Sequence, residues 1–351
     1  MPKSVRPSRP GPAAALALAL LLPGTAFAQE ATPARQCWSA DQLALKPGER
    51  TPRKATAAER VTPPASAAAG TPVTGALAGV VRRVELPAGV RLVALTFDLC
   101  ETPGQIAGYD GPIFDTLRRE GAAATFFAGG KWLATHPARA AQIAADPRFE
   151  IAGHSWDHAN MHDATPAQVD QEVLTTRAGI TAARASAVAQ CPAARPVERL
   201  NLFRFPFGSC SAGSLAAANA AGEVVIQWDV VSGDPANIPA AAIVDNVMRQ
   251  VRPGSIIVMH GNGNGKHTRE ALPAIIARLK AAGYGFATVS ELLAAGRPVT
   301  VSSCYIDRPG DTARYDEAAR RRAAEKAAAR AAAPAAPATP AAPAGAAPVT
   351  R

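Results

Sequence analysis

Phe149-Glu150-Ile151-Ala152-Gly153-His154-Ser155-Trp156-Asp157-His158 joins an apolar run of buried-strand length to two histidines four positions apart, with a glycine at the junction. Imidazoles so spaced converge on one ion whether the segment is a tight loop or a first helical turn, because either returns the chain after about one turn. Taken alone, the pair reads better as two polar loop residues. The rest of the chain decides between these readings.

On both sides of this run, apolar segments alternate with amphipathic ones. Strands are predicted over 92–97, 124–128, 149–152, 202–206, 223–230, 255–259 and 285–289. Helices are predicted between them, over 112–120, 137–145, 166–183, 211–221, 239–251 and 268–282, several opening on Pro, Ser or Thr. Such β-α alternation with near-continuous apolar strands means a parallel sheet covered by helices, either a barrel or an open doubly wound sheet. Both architectures place chemistry at the carboxyl ends of the strands. There the sequence sets Asp98, His154 and His158, Arg204 with Phe207 just beyond it, Asp229 and Asp234, and His260.

The net charge of +9 suggests a polyanion partner until its distribution is examined. The first 28 residues hold three basic and no acidic residues, and 313–351 hold seven basic and three acidic, leaving the body near +2. No basic-aromatic interleaving marks a single-strand binder, so no nucleic-acid partner is expected. Lys3, Arg6 and Arg9 precede the apolar run Ala13 to Leu22, and Ala26-Phe27-Ala28 supplies a small-x-small cleavage pattern, which together predict a secretory signal over 1–28. That run is too short to span a bilayer, and no stable membrane span is expected after cleavage. Residues 29–79 read as a low-complexity linker without a core, in which Cys37-Trp38 suggests a docking point. The folded domain is placed at 80–298 and a C-terminal extension at 299–315. Residues 316–351 read as an Ala/Pro-rich disordered tail, any helix in it lacking an apolar stripe. Oligomeric state is not legible.

At its site residues the chain resembles the polysaccharide deacetylases of the NodB homology family. Leu95-Thr-Phe-Asp98 resembles the family's T-F-D-D motif, His154-Ser-Trp-Asp-His158 its H-[ST]-x-x-H, and Phe203-Arg-Phe-Pro-Phe-Gly208 its R-x-P-[YF]-G. Trp228-Asp229 through Asp234 and Ile257-Val-Met-His260 resemble the two remaining motifs. The resemblance spans about 90–292 and implies a deformed (β/α) barrel of about seven parallel strands. It implies a hydrolase of carbon-nitrogen bonds that removes N-acetyl groups from an amino-sugar polymer or oligosaccharide, with a divalent metal, zinc foremost. The roles implied are Asp98 as base, Arg204 orienting it, the Phe207 backbone N–H on the oxyanion, His260 as acid with Asp234 or Asp229 as its carboxylate, and His154 and His158 on the metal. Two departures stand out. Leu99 occupies the place of the family's second, metal-binding aspartate, and Pro235 that of a tryptophan after the fourth-motif aspartate. Two alternatives remain open: hydrolysis of another C–N bond in a small molecule, and a non-catalytic carbohydrate- or envelope-binding module.

With Leu99 unable to ligate, a carboxylate is expected near the two imidazoles, and Glu101 is the expected third ligand; Asp98, His162 and Cys100 are the other candidates. The loop from His260 to Thr268 fails the phosphate-loop spacing, and its Asn262, Lys266 and His267 read as a flexible polar rim. Among five cysteines in an oxidising compartment, Cys100 with Cys210 and Cys37 with Cys304 are the expected pairs.

Overall fold

The computed structural model describes residues 33–194, 197 and 199–332; the predicted signal and the chain beyond 332 lie outside the described residues. Twelve strands form: β1 Arg53–Lys54, β2 Val80–Glu85, β3 Leu92–Leu99, β4 Gln105–Ile106, β5 Ala124–Ala128, β6 Phe149–Gly153, β7 Leu202–Phe203, β8 Val224–Ile226, β9 Val230–Val231, β10 Ile256–His260, β11 Gly285–Phe286 and β12 Arg297–Val301. β1 and β4 make a small antiparallel pair; the other ten share one sheet. Its order is β12-β2-β8-β7-β6-β5-β3-β10-β9, with β11 also on β3, and every pairing is parallel except β12 on β2. The sheet curls into a half-barrel of the (β/α) type expected.

β3 shows how the pleat sorts residues. Val93, Leu95, Phe97 and Leu99 enter the layer shared with helices Gly111–Glu120 and Thr268–Ala281, while Ala94 joins the opposite layer with Phe127 and Trp228. Asp98 and Cys100 continue the parity of Ala94. The predicted run 223–230 is two strands, because Asp229 turns back to accept from the Ile256 N–H (3.0 Å) and Ser255 Oγ (3.1 Å). The predicted strand 285–289 stops at Phe286, since Thr288 caps a helix, Val289–Ala294. The helix expected over 166–183 runs to Gln190, with no breaker before Pro192. Among the described residues, no helix is long and apolar enough to cross a membrane.

That longer helix corrects the cysteine scheme. It carries Cys191 to Cys37, and the two form a disulfide inside a small cluster with Trp38, Leu43 and Ala141. Cys210 pairs with Cys304 (Cα–Cα 5.2 Å), leaving Cys100 buried and unpaired. The expected pairings Cys100–Cys210 and Cys37–Cys304 therefore fail: Cys210 faces the C-terminal segment, whereas Cys100 faces the histidine pair.

Both terminal segments are laid on the domain by polar anchors. Arg139 donates to Glu49 (2.6 and 2.7 Å) and to the carbonyls of Gln42, Leu43 and Ala44, and Arg50 reaches Asp110 (2.9 Å). Further along, the N–H groups of Gly70 and Val73 donate to Ala221 and Asn219. The stretch read as a disordered linker thus has, from residue 33, no core of its own but a continuous seat. The tail read as disordered from 316 begins instead with a helix, Ala313–Ala332. Its anchor is buried Asp316, which accepts from Ser209 Oγ (2.7 Å) and Asn160 Nδ2 (2.8 Å); Arg320 adds a bond to Asp163. Asp316→Ala removes the buried side-chain acceptor that seats that helix, so limited proteolysis should cut within 313–332 while the barrel's melting temperature shifts by no more than a few degrees. A protease-resistant helix in the variant would show that the seat lies elsewhere.

Candidate active site

His260 ends β10, and its direct register partner on the neighbouring β3 is the penultimate residue, Asp98. His154 and His158 follow β6, Arg204 and Phe207 follow β7, and Asp234 lies beyond β9. Five strands therefore deliver their polar residues to one end of the sheet.

Arg204, fully buried, is the centre of the arrangement. Its Nη1 donates to Asp98 Oδ1 (2.6 Å), while Nε and Nη2 donate to the carbonyls of Ile226 and Gln227 (both 3.3 Å). The guanidinium lies over Phe127, 3.8 Å from the ring centroid. Burial disfavours the Asp98 carboxylate, but Arg204, His154 and His260 more than offset this and hold its pKa below the usual range. Asp98 is thus an anion with a free oxygen, Oδ2, 3.8 Å from His154 Nε2.

His154 is oriented from behind. Its Nδ1 pairs with the Arg204 carbonyl at 2.8 Å, which sets Nδ1 as donor and leaves Nε2 a lone pair; Nε2 is buried without a hydrogen-bond partner. The Gly130 and Lys131 N–H groups hold the Ser155 and Trp156 carbonyls (3.0 and 2.8 Å), and the Trp156 N–H donates to Glu172 Oε2 (2.8 Å). Glycine is required at 130, because a Cβ there would stand 2.4 Å from the Trp156 ring. His158 takes a left-handed φ of 61°, which swings its half-buried ring to 5.1 Å from that of His154. Phe207, at φ 60°, packs against His158 (4.5 Å) and Tyr315 (5.4 Å). Such backbone strain clusters at functional sites.

His260 Nδ1 meets Asp234 Oδ1 at 3.0 Å, and Asp234 is itself fixed by Ser232 Oγ, Thr268 Oγ1 and the His260 N–H. Burial works against the imidazolium, but the Asp234 carboxylate outweighs it and raises the pKa of His260 well above its ordinary value. Asp229 is not part of this pair, being bonded to Arg252 and Ser255 at the far end of the strand.

Glu101 is drawn away from the imidazoles. Its Oε1 takes Lys131 Nζ (2.7 Å), its Oε2 takes the Ala107 N–H (2.8 Å), and Thr135 Oγ1 sits 3.0 Å from both. The donor set present is Cys100, His154 and His158, whose ligand atoms lie within 4.8 Å of one another. The partnerless Nε2 of His154 among these donors fits a metal ion. Burial raises the pKa of the Cys100 thiol, yet His158 and His154 together bring it well below its ordinary value. His162 points elsewhere, to Asp163 (2.8 Å) and Asp316. Asn262, read as a rim residue, is buried and donates to the Cys100 carbonyl (2.6 Å). Glu172 carried no signal in the sequence, since its role depends on a loop that folds back over it.

The site thus brings together a carboxylate held ionised, an imidazole held toward its charged form and two adjacent imidazoles beside a buried thiol. The sequence profile described as polysaccharide deacetylase matches residues 86–226. A chitooligosaccharide deacetylase of Bradyrhizobium sp. is 32% identical over 172 residues, covering 49% of this chain and 71% of that one. A peptidoglycan-N-acetylglucosamine deacetylase of Bacillus cereus is 29% identical over 212 residues, covering 60% and 91%. The crystal structure of a peptidoglycan N-acetylglucosamine deacetylase bound to an N-hydroxybenzamide superposes with a TM-score of 0.52 at 24% identity, over 62% of this chain and 94% of that one, and supports the fold. The chain belongs to the polysaccharide deacetylase family, hydrolases of carbon-nitrogen bonds.

Burial, then repulsion from Asp157, pushes the Glu172 carboxyl up to about 7, against the pull of the Trp156 N–H. Its neutral form is therefore favoured in the folded state. The stability this brings is complete below the ordinary carboxyl range and is lost as pH rises toward 7. In urea unfolding of chelator-treated protein, the parent should lose up to about 3 kcal/mol relative to Glu172→Gln between about pH 4 and pH 8. Parallel curves for the two proteins would refute this.

Proposed function

We propose that the protein is an exported, metal-dependent N-deacetylase acting on N-acetylglucosamine units of an oligosaccharide or cell-wall polymer. The observation that carries this reading is the convergence of the Arg204-held Asp98, the histidine pair and the Asp234-held His260 at one end of the sheet. The names of the relatives support the substrate class. The two disulfides and the signal pattern over 1–28 support export.

Amide hydrolysis requires an activated water, a site for the oxyanion and a proton for a poor leaving group. His154 and His158 would hold a divalent ion, zinc foremost, which would supply Lewis acidity for the hydrolysis. Asp98, already ionised, accepts the water proton through its free oxygen. The strained turn at Phe207 offers its backbone N–H to the oxyanion, and no side-chain chemistry is asked of residue 207. His260, kept charged by Asp234, gives its proton to the departing amine. A binding module would have no use for an acid and a base held in these opposite charge states.

Acetate release from chitooligosaccharides and from peptidoglycan fragments tests the assignment. Asp98→Asn and His260→Ala should each lower kcat by ~10²–10⁴ with circular dichroism unchanged. Near-parental turnover in either variant removes that residue from the mechanism. The acid must be protonated to act, so the rate falls as pH rises through the raised pKa of His260. Asp234→Asn withdraws the carboxylate that raises it, and the alkaline limb of the kcat/KM profile should move to lower pH. A limb that stays in place would separate the two residues.

A further inference from the structure

We infer that Cys100 is the third protein ligand of the metal, completing a Cys-His-His set in which a thiolate does the work of a carboxylate. The inference rests on the metal-dependent reading above and concerns which atoms hold the ion.

The argument begins with the pleat of β3. Successive side chains alternate, so Leu99 is turned from the site and lies 1% exposed among the apolar residues beneath the helices. The next residue on the side of Asp98 is Cys100. It is buried and outside both disulfides, and its sulfur shares a volume with the free nitrogens of His154 and His158, all within 4.8 Å. His154 Nε2 is the independent observation: a buried acceptor with its tautomer fixed by the Arg204 carbonyl and, among the described residues, no well-formed hydrogen bond. An ion is the partner that such an atom lacks.

The other candidates are committed elsewhere. Both Glu101 oxygens are occupied by Lys131 and the Ala107 N–H, and Asp98 is drawn back by Arg204. His162 is bonded to Asp163. Cys100 is instead held in place from behind, where buried Asn262 grips its carbonyl. The flanking residues thus fix the backbone of the cysteine and leave its sulfur for the site.

A thiolate with two neutral imidazoles leaves the same net charge on a divalent ion as a carboxylate would. It differs in softness: sulfur favours zinc and cobalt over magnesium, calcium and manganese. Ligation moves the thiol proton to solvent and forms one sulfur-metal bond, with no change of oxidation state.

Cobalt(II) titration of the chelator-stripped full-length protein tests this without any assay of activity. The parent should develop a thiolate-to-cobalt charge-transfer band in the near ultraviolet. Cys100→Ser should lose the band and bind zinc more weakly by at least roughly 100-fold, beyond the 10–100-fold that loss of an outer-shell partner costs. Cys100→Asp should bind cobalt without the band, which guards against misfolding of the serine variant, and Glu101→Gln should keep the band. A parent that binds cobalt without it, or a band that survives in Cys100→Ser, overturns the assignment. If the band behaves as expected but no acetamido sugar is hydrolysed, the functional reading fails while the ligand set stands.

Discussion

A guanidinium with no exposed surface is the constraint to which the site conforms. Taking the Arg204 charge out of water is tolerable only because Asp98, two carbonyls and the Phe127 ring receive it. Removing one partner of such a pair typically costs ~3–5 kcal/mol. The same residue governs its neighbours through its backbone. Its carbonyl sets the His154 tautomer, and its N–H is bonded to the Gly153 carbonyl, which ties β7 to the end of β6. The Asp98 carboxylate and one imidazole are therefore oriented by opposite ends of one amino acid, so a displacement of either is felt by both.

The catalytic end of the fold was legible because its residues sit where periodicity breaks: an apolar strand, then a charged or imidazole side chain. β5 could be read residue for residue from 124 to 128. β2 and β12 could not, because Val80-Val-Arg-Arg-Val-Glu breaks alternation with charge. Arg82 is buried all the same, since it donates to the carbonyls of Tyr305 and Ile306 and stacks on the Tyr305 ring. No local rule anticipates a partner more than two hundred residues away.

The same limit explains the misplaced third ligand. The need for a carboxylate beside two neutral imidazoles favoured Glu101, but Lys131, in the short helix Gly130–Thr135, holds its Oε1 at 2.7 Å. Asn262 was misread for a related reason: a glycine-rich polar loop looks solvated, yet one of its amides is needed to satisfy a buried carbonyl. Composition likewise mistook the terminal segments, which Arg139, Arg50 and Asp316 fasten alongside two disulfides and the small apolar cluster at Trp38 and Leu43. Hydrophobic pattern locates a core. It is silent about chains fastened to that core by charge.

The unpaired thiol has a consequence for how the chain matures. Cys100 is about as distant from Cys210 along the sequence as Cys304 is, the native separation being 94 residues, so the closure entropies of the two loops differ by only about 0.1 kcal/mol. Between these two partners an unfolded chain meeting an oxidant has almost no entropic preference. Selection must come from structure already formed: β3 has to be in the sheet, with Cys100 turned inward, before oxidation reaches Cys210. The order of assembly is in this sense written into the pleat of one strand, and the sulfur that escapes cross-linking is the one the sheet has sequestered first.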